Sequence, residues 1–166
     1  MWLLPYNEGM NKKCVKVGGC CAVLFLVIIL PALVIGKGRL FMNADFNSQQ
    51  IPFNILCNKA IKNGEYFWNW NTDLGSNFIA SYSFYNIGSP FFWIMLLVPS
   101  KYVVYAMGPL LVLKFMVSGC SSYLYLSQYV KNGYLAAIGA VLYTFSGFTF
   151  SNLFYNHFKN GTSLKN

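Results

Sequence analysis

Long apolar runs alternate with polar punctuation along this chain, and one polar, aromatic stretch separates the first run from the rest. Residues 17–35, VGGCCAVLFLVIILPALVI, are apolar without interruption. At about 1.5 Å per residue they extend about 28 Å as a helix, close to the ~30 Å hydrocarbon core of a bilayer. A cleaved secretory signal has a shorter apolar core of about 7–15 residues, so an uncleaved membrane span is expected. Pro31 should kink this span near its end, which helix bundles tolerate. Residues 102–128 form a second span, interrupted by Lys114. Residues 134–152, YLAAIGAVLYTFSGFTFSN, form a third, whose Ala136, Ala137, Gly139, Ala140 and Gly147 admit close helix contact. Residues 89–99, SPFFWIMLLVP, are apolar but cover only about 16 Å as a helix. That length fits a short interfacial or re-entrant helix bounded by Pro90 and Pro99. A polar tail, 153–166, follows the third span.

Between residues 36 and 89 the pattern changes. Ser48 to Ile61 reads as a short amphipathic helix, with Ile51, Ile55 and Ile61 on one face. Asn47 or Ser48 is expected to cap it, Pro52 suits its first turn, and Lys62-Asn63-Gly64 is a stop signal. Tyr66 to Trp70 is an aromatic cluster. NTDLGSN, residues 71–77, is a turn in which Gly75 can take a positive φ. Phe78 to Tyr85 should then run back along the membrane surface. A connector this long is either functional or disordered, and its aromatic content argues for order. The expected fold is an all-α polytopic membrane helix bundle, one domain over 1–166, with a long, partly helical extracytoplasmic loop after the first span.

Composition agrees with the pattern. The 166-residue chain is 56% hydrophobic and 10% charged, where soluble domains average about 25% charged residues. Its mean hydropathy is +0.45. So few charges cannot cover the surface of a soluble fold. The net charge of +8 does not point to nucleic acid, because no groove-like basic stripe exists. Lys12, Lys13 and Lys16 form the tight cluster, directly before the first apolar run, as in a cytoplasmic flank attracted to anionic lipid. The N-terminus is then cytoplasmic and loop 36–89 lies outside the membrane. Lys37, Arg39, Lys59 and Lys62 run against that assignment, but long loops translocate largely regardless of charge. The five cysteines, Cys14, Cys20, Cys21, Cys57 and Cys120, are odd in number and fit no zinc spacing. Buried apolar thiols are expected, with acylation of Cys14, Cys20 and Cys21 as the alternative.

The loop also holds the candidate chemistry. Asp45 follows the first span by about ten residues. It is a candidate general base, or a ligand for a divalent cation such as Mg or Mn that neutralises a phosphate. A helix cap or turn residue is the plainer reading. Glu65 and Asp73 are read first as turn residues, with Glu65 as a candidate second carboxylate and Asp73 as a candidate substrate contact. Trp68 and Trp70 offer flat faces for a sugar ring, or belong to an interfacial aromatic belt. Two positions apart, they are not expected to form one platform. Lys114, near the middle of the second span, is a functional candidate by default: it binds a buried phosphate or pairs with a carboxylate, unless the span is shifted toward an interface. His157 reads as a surface residue, and Asn160-Gly161-Thr162 is a glycosylation sequon by pattern only.

DFNSQQIPF, carrying Asp-x-x-x-Gln-x-x-Pro-Phe from Asp45, and NGEYFWNWNTDLGSNFIASYSFYNIGSPFFW, carrying Trp-x-Trp-x-x-x-x-Gly and Ser-Pro, resemble the bacterial YfhO family of multi-pass membrane proteins. LKFMVSG and YTFSGF are similar to that family's later spans. The resemblance covers roughly residues 20–155. It implies a glycosyltransferase of the GT-C type, which takes a sugar from a polyprenyl-phosphate carrier and passes it to a cell-envelope polymer such as a teichoic acid. It implies Asp45 as the essential acidic residue of the first outer loop, Gln49 and Gln50 lining the same site, and Lys114 meeting the lipid phosphate. Complete members carry many more spans, so the chain is expected to be an N-terminal portion, inactive alone and completed by a missing C-terminal part. The alternative is a non-catalytic membrane subunit or transporter fragment whose loop binds a partner protein.

Overall fold

The computed structural model describes residues 8–40, 42, 46–70, 72 and 75–154. It is 78% helical with 3% strand, the all-α composition that the periodicity predicts. Helix α1 is Glu8–Ile35, and a π-helical turn, Phe46–Gln50, leads into α2, Ile51–Lys62. Strands β1, Trp68–Asn69, and β2, Ser76–Asn77, form an antiparallel pair with Trp68 opposite Asn77. Helix α3, Phe78–Tyr82, runs into a π-helical turn, Ser83–Ile87, and then α4, Pro90–Met95. A 3-10 turn, Ser100–Tyr102, precedes α5, Val103–Tyr129. Helices α6, Gly133–Thr144, and α7, Gly147–Phe154, complete the order. Among the described residues, three segments are long and apolar enough to cross a membrane: Met10–Ile35, Ser100–Tyr129 and Gly133–Ser151.

The chain forms two compact units, Met1–Leu30 with Leu111–Phe150, and Pro31–Leu110 with Ser151–Asn166. In the first, α1 and α5 pack at very short range because glycines face thiols. A Cβ on Gly18 would stand 2.3 Å from Cys120 Sγ, and one on Gly119 would stand 2.7 Å from Cys21 Sγ. The thiols close this seam as small apolar groups: Cys14 and Cys21 are buried beside Val17, Tyr123, Ala136 and Ala140. Cys120 Sγ donates to the Cys14 carbonyl at 3.4 Å. Cys20 departs from expectation and is exposed, because it sits on the outward face of α1 next to the inward Cys21. Phe25 stacks on Phe115 at 3.8 Å between ring centroids. Small Ala136 and Ala140 put α6 in this core, as their spacing predicts.

The third apolar segment contains a break that its hydropathy does not reveal. Helix α6 stops at Thr144, and Ser146 starts α7, its Oγ accepting from the Thr149 amide at 3.4 Å. A serine at this position satisfies an amide that the new helix would otherwise leave unpaired.

In the second unit, α2 lies at the centre. Its Cys57 and Ala60 pack with Phe78, Tyr82 and Phe92 in one apolar cluster. Pro52 occupies the first turn of α2 and the helix ends at Lys62, both as the sequence predicts. The cap does not follow the prediction. Gln50 stands at the N-cap position but its side chain does not cap the helix, since a π-helical turn already runs into α2. Asn47 instead accepts from the Met42 amide at 3.0 Å. The apolar run 89–99 is helical only through Met95, and Leu96 to Pro99 continue as turns.

Helix α1 ends within this unit in a Schellman motif. The Gly38 amide donates to the Leu33 carbonyl at 2.8 Å and the Lys37 amide to that of Val34 at 3.2 Å. The residue in the left-handed position is Lys37, with φ of +50°, where glycine is the usual occupant. Gly36 is required for a different reason: a Cβ there would lie 2.0 Å from the Arg39 carbonyl oxygen.

Candidate functional site

The loop module between α1 and α5 is built on a buried polar network that holds an exposed aromatic tip. In the turn after α2, the Asn69 side-chain amide donates to the Glu65 carboxylate. Thr72 Oγ1 lies 3.3 Å from Asn69 Oδ1 and 3.5 Å from Tyr82 Oη. Asn69, Thr72 and Tyr82 are all buried. Buried polar groups must find partners, and here they find one another. Glu65 therefore does the work of a turn residue, as read from the sequence.

With Asn69 facing inward, its two neighbours face outward. Trp68 is 52% exposed and Trp70 76% exposed, enough free face on each for a flat ring to stack. Their ring centroids are 5.7 Å apart at an interplanar angle of 76°. The two indoles therefore meet edge to face on one side of the tip rather than lying coplanar. Residues two apart in an extended segment project from the same face. Gly75 makes room beneath them: its φ is +103°, and a Cβ there would lie 2.9 Å from Trp70 Cε3 and 3.2 Å from Trp68 Cζ2.

Of the other sequence candidates, Gln49 and Gln50 are half-buried in the π-helical turn before α2. Gln50 Nε2 donates to the carbonyl of Leu153 at 3.4 Å, and the Gln50 carbonyl accepts from Asn54 Nδ2 at 2.8 Å. Lys114 lies near the middle of α5, in the first unit rather than the loop unit. Asp45, Asp73, His157 and the sequon at Asn160 lie outside the described residues. Among the described residues, no group of three or more His, Cys, Asp or Glu side chains gathers where a metal ion would bind.

Two further groups shape the module. Cys57 is fully buried, and burial pushes its thiol up to about 11, against the opposing effect of a hydrogen bond from Asn86 Nδ2 at 3.3 Å. Arg39 was counted from sequence only as a charge. Its Nε donates to Tyr105 Oη at 3.1 Å and its guanidinium lies 5.5 Å from that ring's centroid. The available signal was local: the glycine-spaced cations of GKGR, at the end of an apolar run, read as a turn that presents charge. Tyr105, 66 residues away, carried no signal of its own.

A comparison with curated proteins returns no match, and a comparison with solved structures returns none. A family model described as "Bacterial membrane protein YfhO" matches residues 20–162, which takes in most of the first apolar run, the whole loop module and the later spans. The chain belongs to the YfhO family of bacterial membrane proteins.

Proposed function

We propose that the chain is the N-terminal part of a membrane glycosyltransferase that receives a sugar from a polyprenyl-phosphate carrier and delivers it to a cell-envelope polymer such as a teichoic acid. The family match over residues 20–162 carries this reading. The ordered loop between the first two apolar helices supports it, because a saccharide site needs fixed aromatic faces beside polar groups. In this reading the N-terminus is cytoplasmic and residues 36–89 face outward. Asp45 takes a proton from the acceptor hydroxyl as that oxygen attacks the anomeric carbon, and the carrier phosphate leaves. A bound divalent cation would neutralise that leaving phosphate. Trp68 and Trp70 stack on the sugar or the acceptor, Gln49 and Gln50 hold hydroxyl groups, and Lys114 meets the phosphate charge. Asp73 is a further substrate contact.

The test is Asp45→Asn expressed in the host bacterium, with sugar on the envelope polymer measured by mass spectrometry and membrane insertion by fractionation. The expected result is loss of sugar with insertion intact. Full sugar transfer would remove Asp45 from the mechanism.

A further inference from the structure

The turn that ends α1 forms an open cleft of about 710 Å³, lined by Ala32, Ile35, Gly36, Lys37, Arg39 and Tyr105. The lining has two characters. Ala32 and Ile35 continue the apolar surface of α1, and Ile35 is 83% exposed. Lys37 and Arg39 supply two cations, and Tyr105 spans both characters with an apolar ring and a polar tip. The uninterrupted apolar run 17–35 matches a bilayer's hydrocarbon thickness of about 30 Å, so residues 36–39 fall at its boundary, where lipid headgroups lie.

One of the two cations is held by a neighbour, and the other is placed by its backbone. Tyr105 fixes Arg39 through its hydroxyl and ring face. Lys37 occupies a left-handed backbone position although glycines flank it on both sides. A glycine there would complete the helix end with less strain, so the lysine is retained against local preference. Strain of this kind gathers at sites where a side chain has work to do. An arginine fork and an ammonium lining one cleft match the oxygens of a phosphate.

We propose that this cleft binds the phosphate of a membrane lipid, with Lys37 and Arg39 on the phosphate oxygens and the first carbons of the lipid chain against Ala32 and Ile35. Two lipids present that chemistry, an anionic phospholipid and a polyprenyl phosphate. Only the second source rests on the glycosyltransferase reading, and a binding measurement stands or falls without sugar transfer.

The test uses the full chain purified in detergent and native mass spectrometry with added phosphatidylglycerol, polyprenyl phosphate or uncharged polyprenol. Wild-type protein should retain a phosphate-bearing lipid and not the polyprenol. Lys37→Gln combined with Arg39→Gln should raise the half-saturating concentration about thirtyfold. A preference for polyprenyl phosphate identifies the carrier as the ligand, and equal retention of both identifies a general anionic-lipid site. Equal retention of polyprenol, or undiminished binding by the double variant, overturns the proposal. Lys37→Gly separates binding from folding: it should raise the unfolding temperature while weakening retention about fivefold. A Lys37→Gly protein that binds as tightly as wild type also overturns it.

Discussion

The side-chain amide of Asn58 donates to the carbonyl oxygen of Met95 at 3.0 Å, joining the middle of α2 to the last residue of α4. The same nitrogen reaches the Val98 carbonyl at 3.3 Å, and Asn58 Oδ1 accepts from Ser100 Oγ at 2.7 Å. Lys62 Nζ also donates to Val98. Helix α4 is six residues long, and the amides of Leu96, Leu97 and Val98 bond back to the Phe92, Ile94 and Met95 carbonyls as turns. A fully buried asparagine from another helix adds a second donor to Met95 and ties this turn to α2. Asn58→Ala should cost about 1–2 kcal/mol, because it removes the side-chain bonds to Met95, Val98 and Ser100 that tie α2 to this turn, although Met95 keeps the Val98 amide and Val98 keeps Lys62. Thermal unfolding in detergent and protease cleavage between residues 90 and 102 would report it. Unchanged unfolding and cleavage would show that water replaces the amide.

Gly75→Ala should separate the two indoles. The added methyl meets both rings, and a φ of +103° is strained for any residue with a Cβ. The expected cost is about 1–2 kcal/mol. Near-UV circular dichroism should lose the component that arises from coupling between Trp68 and Trp70. A spectrum that matches wild type would mean that the turn absorbs the methyl without moving either ring.

Cys57 makes stability depend on alkaline pH. Its folded-state thiol holds its proton to about 11, against an ordinary value of 9.0. Between those values the folded chain binds more protons than the unfolded chain, so stability is untouched below about pH 9 and falls as pH rises toward 11. The loss is on the order of 2 kcal/mol at the upper end. Other groups titrate in the same window, so the measurement is the difference between wild type and Cys57→Ala. That difference should narrow as pH rises. A constant difference from pH 8 to pH 11 would contradict the burial argument.

Ser146→Ala should weaken the start of α7 by about 1 kcal/mol, since Ser146 Oγ accepts from the Thr149 amide and lies 3.2 Å from Thr149 Oγ1. Hydrogen exchange at Thr149 should accelerate while α6 amides keep their protection. Equal exchange in the two proteins would show that the α7 start does not need this cap.

The features legible in the sequence are those set by neighbours along the chain. An unbroken apolar run has one low-energy form in a bilayer, a helix that satisfies its own backbone, so the membrane-helix class, the end of α1 and the approximate ends of α5 follow from hydropathy, whereas α1 starts at Glu8, nine residues before its apolar run. Local punctuation worked for the same reason. Pro52 opens α2, Pro90 opens α4, and Gly75 takes the left-handed turn, because each requirement lies within one residue's backbone. The aromatic loop with Trp68 and Trp70 stood out as an ordered segment, and both residues lie on its exposed tip.

Other features depended on partners distant in sequence. Nothing local to Asn58 announces that its amide will close the end of α4. Arg39 was one positive charge among twelve until Tyr105 came beside it, and Cys57 was a loop cysteine until Phe78, Tyr82 and Phe92 closed over it. The sequence by itself therefore determined which segments are membrane helices, where many of them begin and end, and which loop carries the polar and aromatic groups. Tertiary structure alone decided which side chains meet. Helix formation is settled by bonds within a few residues, whereas a hydrogen bond or ring contact across dozens of residues exists only after packing has excluded water from both partners.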